Sequence, residues 1–138
     1  MHIKRLVAFT SIIVLLNACG GGGGKQVDNP TEAQIAFSLS PYTANSTTAV
    51  PGSSTSETVT LTSTMPGKGI TITTTVTDPN NNNASVSQNA PVTSTSSANT
   101  ITIINLPSQR LCNVTITVTS VATSTNTASQ SFTLANKQ

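Results

Sequence analysis

The sequence predicts an all-β domain, an antiparallel sandwich of about seven short strands. Three observations carry that expectation. Apolar and polar residues alternate with period two over most of the chain after residue 34, turn signals separate the alternating runs at short intervals, and no convincing helical period occurs between Pro30 and Gln138. Ile35, Phe37 and Leu39 share one face of a first strand that stops at Pro41. In residues 58–63, Val59 and Leu61 oppose Thr58, Thr60 and Thr62. Residues 70–77 give the clearest pattern, with Ile70, Ile72 and Val76 against Thr71, Thr73, Thr75 and Thr77. Residues 100–106 start in register at Ile101 and Ile103, then change parity at Ile104 and Leu106, which predicts a bulge. Cys112, Val114, Ile116 and Val118 alternate with Asn113, Thr115, Thr117 and Thr119, and Phe132 and Leu134 with Ser131 and Thr133. Threonine suits such a surface, because its branched β-carbon favours a pleated, half-exposed position.

The turns between these runs are Pro51-Gly52, Pro66-Gly67, Asp78-Pro79-Asn80, Pro91 and Leu106-Pro107-Ser108. The last of them leads into Gln109-Arg110-Leu111-Cys112-Asn113-Val114-Thr115-Ile116, and the whole stretch resembles the approach to the penultimate strand of fibronectin type III and other immunoglobulin-like domains. The resemblance implies a single immunoglobulin-like β-sandwich over residues 34–136. In those domains a tyrosine hydroxyl bonds back to the corner; here Cys112 stands at the tyrosine's position, so the resemblance leaves that hydrogen bond without a donor.

Before the sandwich the chain has a different character. Residues 1–5 are basic and residues 6–16 are apolar, a run of roughly 11 residues that fits a signal-peptide core and falls short of the ~20 needed to span a bilayer. Leu16-Asn17-Ala18-Cys19 follows, then glycine from 20 to 24. This order resembles the lipobox of bacterial lipoproteins, with an aliphatic residue at −3, a small residue at −1 and the cysteine to be lipidated. The resemblance implies a signal peptide over 1–18, cleavage before Cys19 and a lipidated cysteine at the head of a flexible tether over 19–33. It also implies a bacterial envelope location. Gly20 stands where an aspartate would retain a Gram-negative lipoprotein in the inner membrane, so the resemblance points to the outer membrane. Each buried methylene stabilises membrane attachment by about 0.8 kcal/mol, and one acyl chain holds only marginally. The three chains of a mature lipoprotein would hold effectively permanently.

Composition narrows function further. Charged residues make up 7% of the chain, against roughly 25% in ordinary soluble proteins. With a leader over 1–18 removed, Lys25, Lys68, Arg110 and Lys137 balance Asp28, Glu32, Glu57 and Asp78. A neutral chain does not steer a polyanion, which argues against nucleic acid as a partner. His2, the one histidine, leaves with that leader, so no histidine-based catalytic or metal site is expected. No cofactor or metal is expected, and the chain reads as a non-enzyme.

Four features bear on sites. Glu57 and Asp78 flank predicted strands and would form a carboxylate pair if brought to the same end. The scarcity of aromatic residues, 3% of the chain, counts against both a glycosidase and a carbohydrate-binding module. Asp78-Pro79-Asn80-Asn81-Asn82-Asn83 starts like a calcium loop but lacks its glycine and bidentate glutamate, and reads as a polar turn. Cys112 has inward parity and reads as a buried, inert thiol. If the strands at 70–77, 112–119 and 129–134 are neighbours, Thr71, Thr73, Thr75, Thr115, Thr117, Ser131 and Thr133 form a hydroxyl face, the candidate surface for a protein partner. Function is therefore expected to be interaction or structural and adhesive work by a membrane-anchored protein. The alternative is an accessory lipoprotein of a secretion or surface-fibre assembly.

Overall fold

The computed structural model describes residues 31–138; residues 1–30, and with them the leader, the lipobox and most of the tether, lie outside the described part. Nine strands form two sheets, and no α-helix occurs among the described residues. They are β1 (Phe37–Ser40), β2 (Thr47–Val50), β3 (Thr55–Leu61), β4 (Ile70–Asp78), β5 (Ala84–Val86), β6 (Val92–Ser94), β7 (Ala98–Ile103), β8 (Leu111–Ser120) and β9 (Thr127–Asn136). The smaller sheet has the order β1-β3-β7; the larger runs β2-β9-β8-β4-β5, with β6 also paired to β4. With β1, β3 and β7 in one sheet and β4, β8 and β9 in the other, the chain has the immunoglobulin-like arrangement.

Three strands, β2, β5 and β6, have no counterpart among the runs expected from the sequence. They have four, three and three residues, too short for alternation to register. The sandwich is also not wholly antiparallel. After β1 the chain crosses to the larger sheet through Pro41–Ser46, and β2 enters parallel to β9, with Thr47 opposite Thr133 and Val50 opposite Asn136. The bulge expected near Ile104 is absent. β7 simply ends at Ile103, Asn105 turns the backbone at φ 59°, and Leu106 drops into the core from the loop.

The core is the inward parity of these strands. Val59, Ile70, Val76, Ile103, Val114, Ile116, Val118 and Leu134 are completely shielded, with Phe37, Leu39, Ile72 and Phe132 nearly so. Each such side chain stabilises the fold by about 1.5–3 kcal/mol through lost apolar exposure. Cys112 belongs to this layer, opposite Leu134 and with no accessible surface, as its parity predicts.

Amide side chains seal both open seams of the sandwich. Along one seam Asn126 Oδ1 accepts from the Ile35 N–H at 2.9 Å, and Gln130 Nε2 donates to the Phe37 carbonyl. Along the other, Gln88 Nε2 donates to the Ile104 carbonyl at 2.7 Å while its Oε1 accepts from the Ile104 N–H at 2.9 Å. Gln88 thus engages both backbone groups of one residue, as a neighbouring strand would. Such capping occupies backbone groups at the two exposed edges of the three-stranded sheet.

The corner before β8 is closed as well, by a side chain from the end of β9. Asn136 Nδ2 donates to the Leu106 carbonyl at 2.9 Å from a buried position.

Candidate functional site

The outer face of the larger sheet follows directly from register. β4 pairs with β8 and β8 with β9, both antiparallel, so the outward residues of three strands stand in rows. Thr71, Thr119 and Thr127 form the first row; Thr73, Thr117 and Ser129 the second; Thr75, Thr115 and Ser131 the third; Thr77, Asn113 and Thr133 the fourth. The seven residues expected to share a face do share it. Thr77, Asn113, Thr119, Thr127 and Ser129 complete it, and their parity in the sequence already carried that signal. The flanking strands extend the end rows, Thr93 standing opposite Thr71, and Ser85 opposite Thr77.

The rows are bonded across β8 and β9. Thr115 and Ser131 hydroxyls lie 2.8 Å apart, Thr117 and Ser129 2.8 Å, and Thr119 and Thr127 2.9 Å. The Thr115–Ser131 and Thr117–Ser129 pairs each use one hydroxyl proton internally and leave the other free, whereas Thr127 donates to the Val118 carbonyl at 3.2 Å and so receives the Thr119 proton. Near the fourth row the face is concave. Asn45, Thr77, Asn113, Thr115, Ser131 and Thr133 line a polar groove of about 540 Å³. No charged side chain belongs to these rows. Sheets of this kind twist, so the array is not the flat plane that docking on a crystal surface such as ice would demand.

The carboxylates do not form a pair. Glu57 lies inside β3 with no accessible surface, its Oε2 accepting from the Tyr42 N–H at 3.2 Å and its Oε1 without a partner. Burial pushes its carboxyl above the ordinary range, while hydrogen bonds from the backbone of Tyr42 and Ser40 act in the opposite sense. Asp78 has other partners. It takes Arg110 Nη1 at 2.8 Å and, as the cap of the short 3-10 turn Pro79–Asn81, the Asn80 N–H at 2.9 Å. Asn82 and Asn83 follow at φ 50° and 56°, so the asparagine run makes a tight polar turn rather than a cation loop. Among the described residues no three His, Cys, Asp or Glu side chains gather as a metal site would require. Burial and then the negative Asp78 push the Cys112 thiol up, with Arg110 opposing, so the reactive thiolate is disfavoured.

Leu16, Asn17, Ala18 and Cys19 lie outside the described residues. No family model, curated protein or solved structure matches this chain.

Proposed function

We propose that the chain is a lipid-anchored protein of a bacterial envelope that works by interaction or adhesion rather than catalysis. Its lipidated residue is Cys19, and its outer hydroxyl face meets a protein partner. The observation that supports the interaction reading is the register of the larger sheet. It aligns Thr73, Thr117 and Ser129, and Thr75, Thr115 and Ser131, in ordered uncharged rows whose rotamers are held by mutual hydrogen bonds. A surface ordered before binding loses less side-chain entropy on association. The anchor reading is supported by the basic, apolar and Leu16-Asn17-Ala18-Cys19 segments in their order.

Two measurements test it. Wild-type protein should partition with outer-membrane fractions and incorporate labelled fatty acid, and Cys19→Ser should do neither; a soluble, unlabelled wild type would remove the anchor. Replacing Thr73, Thr115 and Ser131 by valine or alanine should abolish cross-linking to the envelope partner at unchanged thermal stability. Undiminished cross-linking would move the interaction off this face.

A further inference from the structure

Charge is sparse in this domain, and its distribution is uneven. The described residues include three cationic side chains, Lys68, Arg110 and Lys137, and two of them line one cleft. The cleft holds about 470 Å³ and is completed by Asn80, Gln109, Leu111, Ala135 and Asn136. A volume of this size suits a small ligand or a short peptide stretch.

Three features give the cleft a chemical preference. Arg110 is oriented from below: Nη1 is held at 2.8 Å by Asp78, whose side chain is only 5% exposed, while Arg110 itself is 45% exposed. No second protein acceptor holds the guanidinium among the described residues, so its remaining donors are open to a carboxylate at the cleft. Lys137 adds a second cationic side chain to the lining. Leu111 stands beside them 43% exposed, one of three large apolar side chains left so open among the described residues. The Gln138 carbonyl accepts from Ser108 Oγ, and its side chain lies against Gly52.

We propose that this cleft docks an acidic peptide segment, a carboxylate engaging Arg110 and Lys137 and a neighbouring apolar side chain covering Leu111. Two cations beside a neutral sheet are too few to hold an extended polyanion. The exposed leucine distinguishes the site from a simple ion site.

Placement in the fold gives the cleft its access. The N-terminal segment is pinned at the opposite end of the sandwich, where Asn126 takes the Ile35 N–H and donates to the Ala33 carbonyl at 3.0 Å. Arg110 and Leu111 stand at the start of β8 and Asn126 just past its end, a separation of about 30 Å at ~3.3 Å per residue. On an anchored protein the cleft therefore lies at the end of the sandwich remote from the tether's attachment. The relevance of that placement rests on the anchor reading above, whereas the cleft's affinity does not.

The test uses the full chain in detergent micelles and a fluorescein-labelled hexapeptide of alternating glutamate and leucine, followed by anisotropy. Saturable binding is expected, weakened by added salt and at least tenfold tighter than binding of the matching glutamine–leucine peptide. Lys137→Gln, which leaves the Arg110–Asp78 pair intact, should weaken binding about tenfold, and Leu111→Thr should do the same. Amide shifts should concentrate on residues 109–111 and 135–137. The proposal is overturned by no binding at about 10 mM peptide, by affinity unchanged in both variants, or by inorganic phosphate competing as well as the peptide. None of these outcomes bears on membrane partitioning, so failure here leaves the anchor reading standing.

Discussion

Glu57 is the residue at which the fold departs furthest from what its chemistry prefers. A carboxyl with no accessible surface and one unpartnered oxygen is easier to keep protonated than ionised, and burial raises it above its ordinary value of 4.5. The folded state then holds the proton more tightly than the unfolded chain. Its contribution to stability is intact below the unfolded value and falls away as pH rises through the raised folded value. Urea melts of wild type and Glu57→Gln across that window should diverge, the wild type losing stability with pH relative to the variant. Parallel curves would show that Glu57 titrates alike in both states. Asn136 is the opposite case, a buried polar group that is fully used. It donates to the Leu106 carbonyl, and its Oδ1 accepts from the Gln138 N–H at 3.0 Å. Asn136→Ala should cost about 1–3 kcal/mol, because the buried Leu106 carbonyl loses its donor. A loss of only a few tenths would mean that water reaches the corner.

At the scale of the element, register decides everything, since a slip of one residue would exchange the core of β8 for its threonines. Cys112 reports that register. It faces Leu134 across β8 and β9, and a bulky thiol reagent should modify it slowly in the folded protein lacking Cys19 and rapidly in denaturant. Cys112→Ala should cost about 1–2 kcal/mol through a small cavity. Cys112→Ser should cost more, because a hydroxyl there has no evident partner. Fast labelling of native protein would place this strand face-out. The turn between β3 and β4 is equally determined. Gly69 sits at φ 84°, its N–H donates to the Pro66 carbonyl at 2.8 Å, and a β-carbon there would stand 2.5 Å from the Ser94 carbonyl oxygen.

At the scale of the whole domain, the sparse charges of the described residues sit away from the broad face of the larger sheet, which carries hydroxyls bonded in rows. Trypsin has two sites within the described sandwich before its last residues, Lys68 in the Pro66–Gly69 turn and Arg110 in its ion pair with Asp78. Both positions are tied down by hydrogen bonds, so the folded domain should survive trypsin at ratios that degrade its urea-unfolded form within minutes. Prompt cleavage after Lys68 would show that the β3–β4 turn opens locally at low cost.

Period-two alternation was enough to determine the all-β class, the inward parity of Val114, Ile116 and Cys112, and the outward threonines, because burial of one strand face is a local property of residue order. The Thr71, Thr73 and Thr75 face was legible for the same reason. Tertiary structure alone decided what depends on pairing between distant segments. β2 runs parallel to β9, Gln88 engages both backbone groups of Ile104, and Asn136 closes the corner. An amide or carboxylate side chain reads as surface in a sequence, since burial is costly until a hydrogen-bond partner is found. The partners of Gln88 and Asn136 lie 16 and 30 residues away, so only the folded chain brings them within reach.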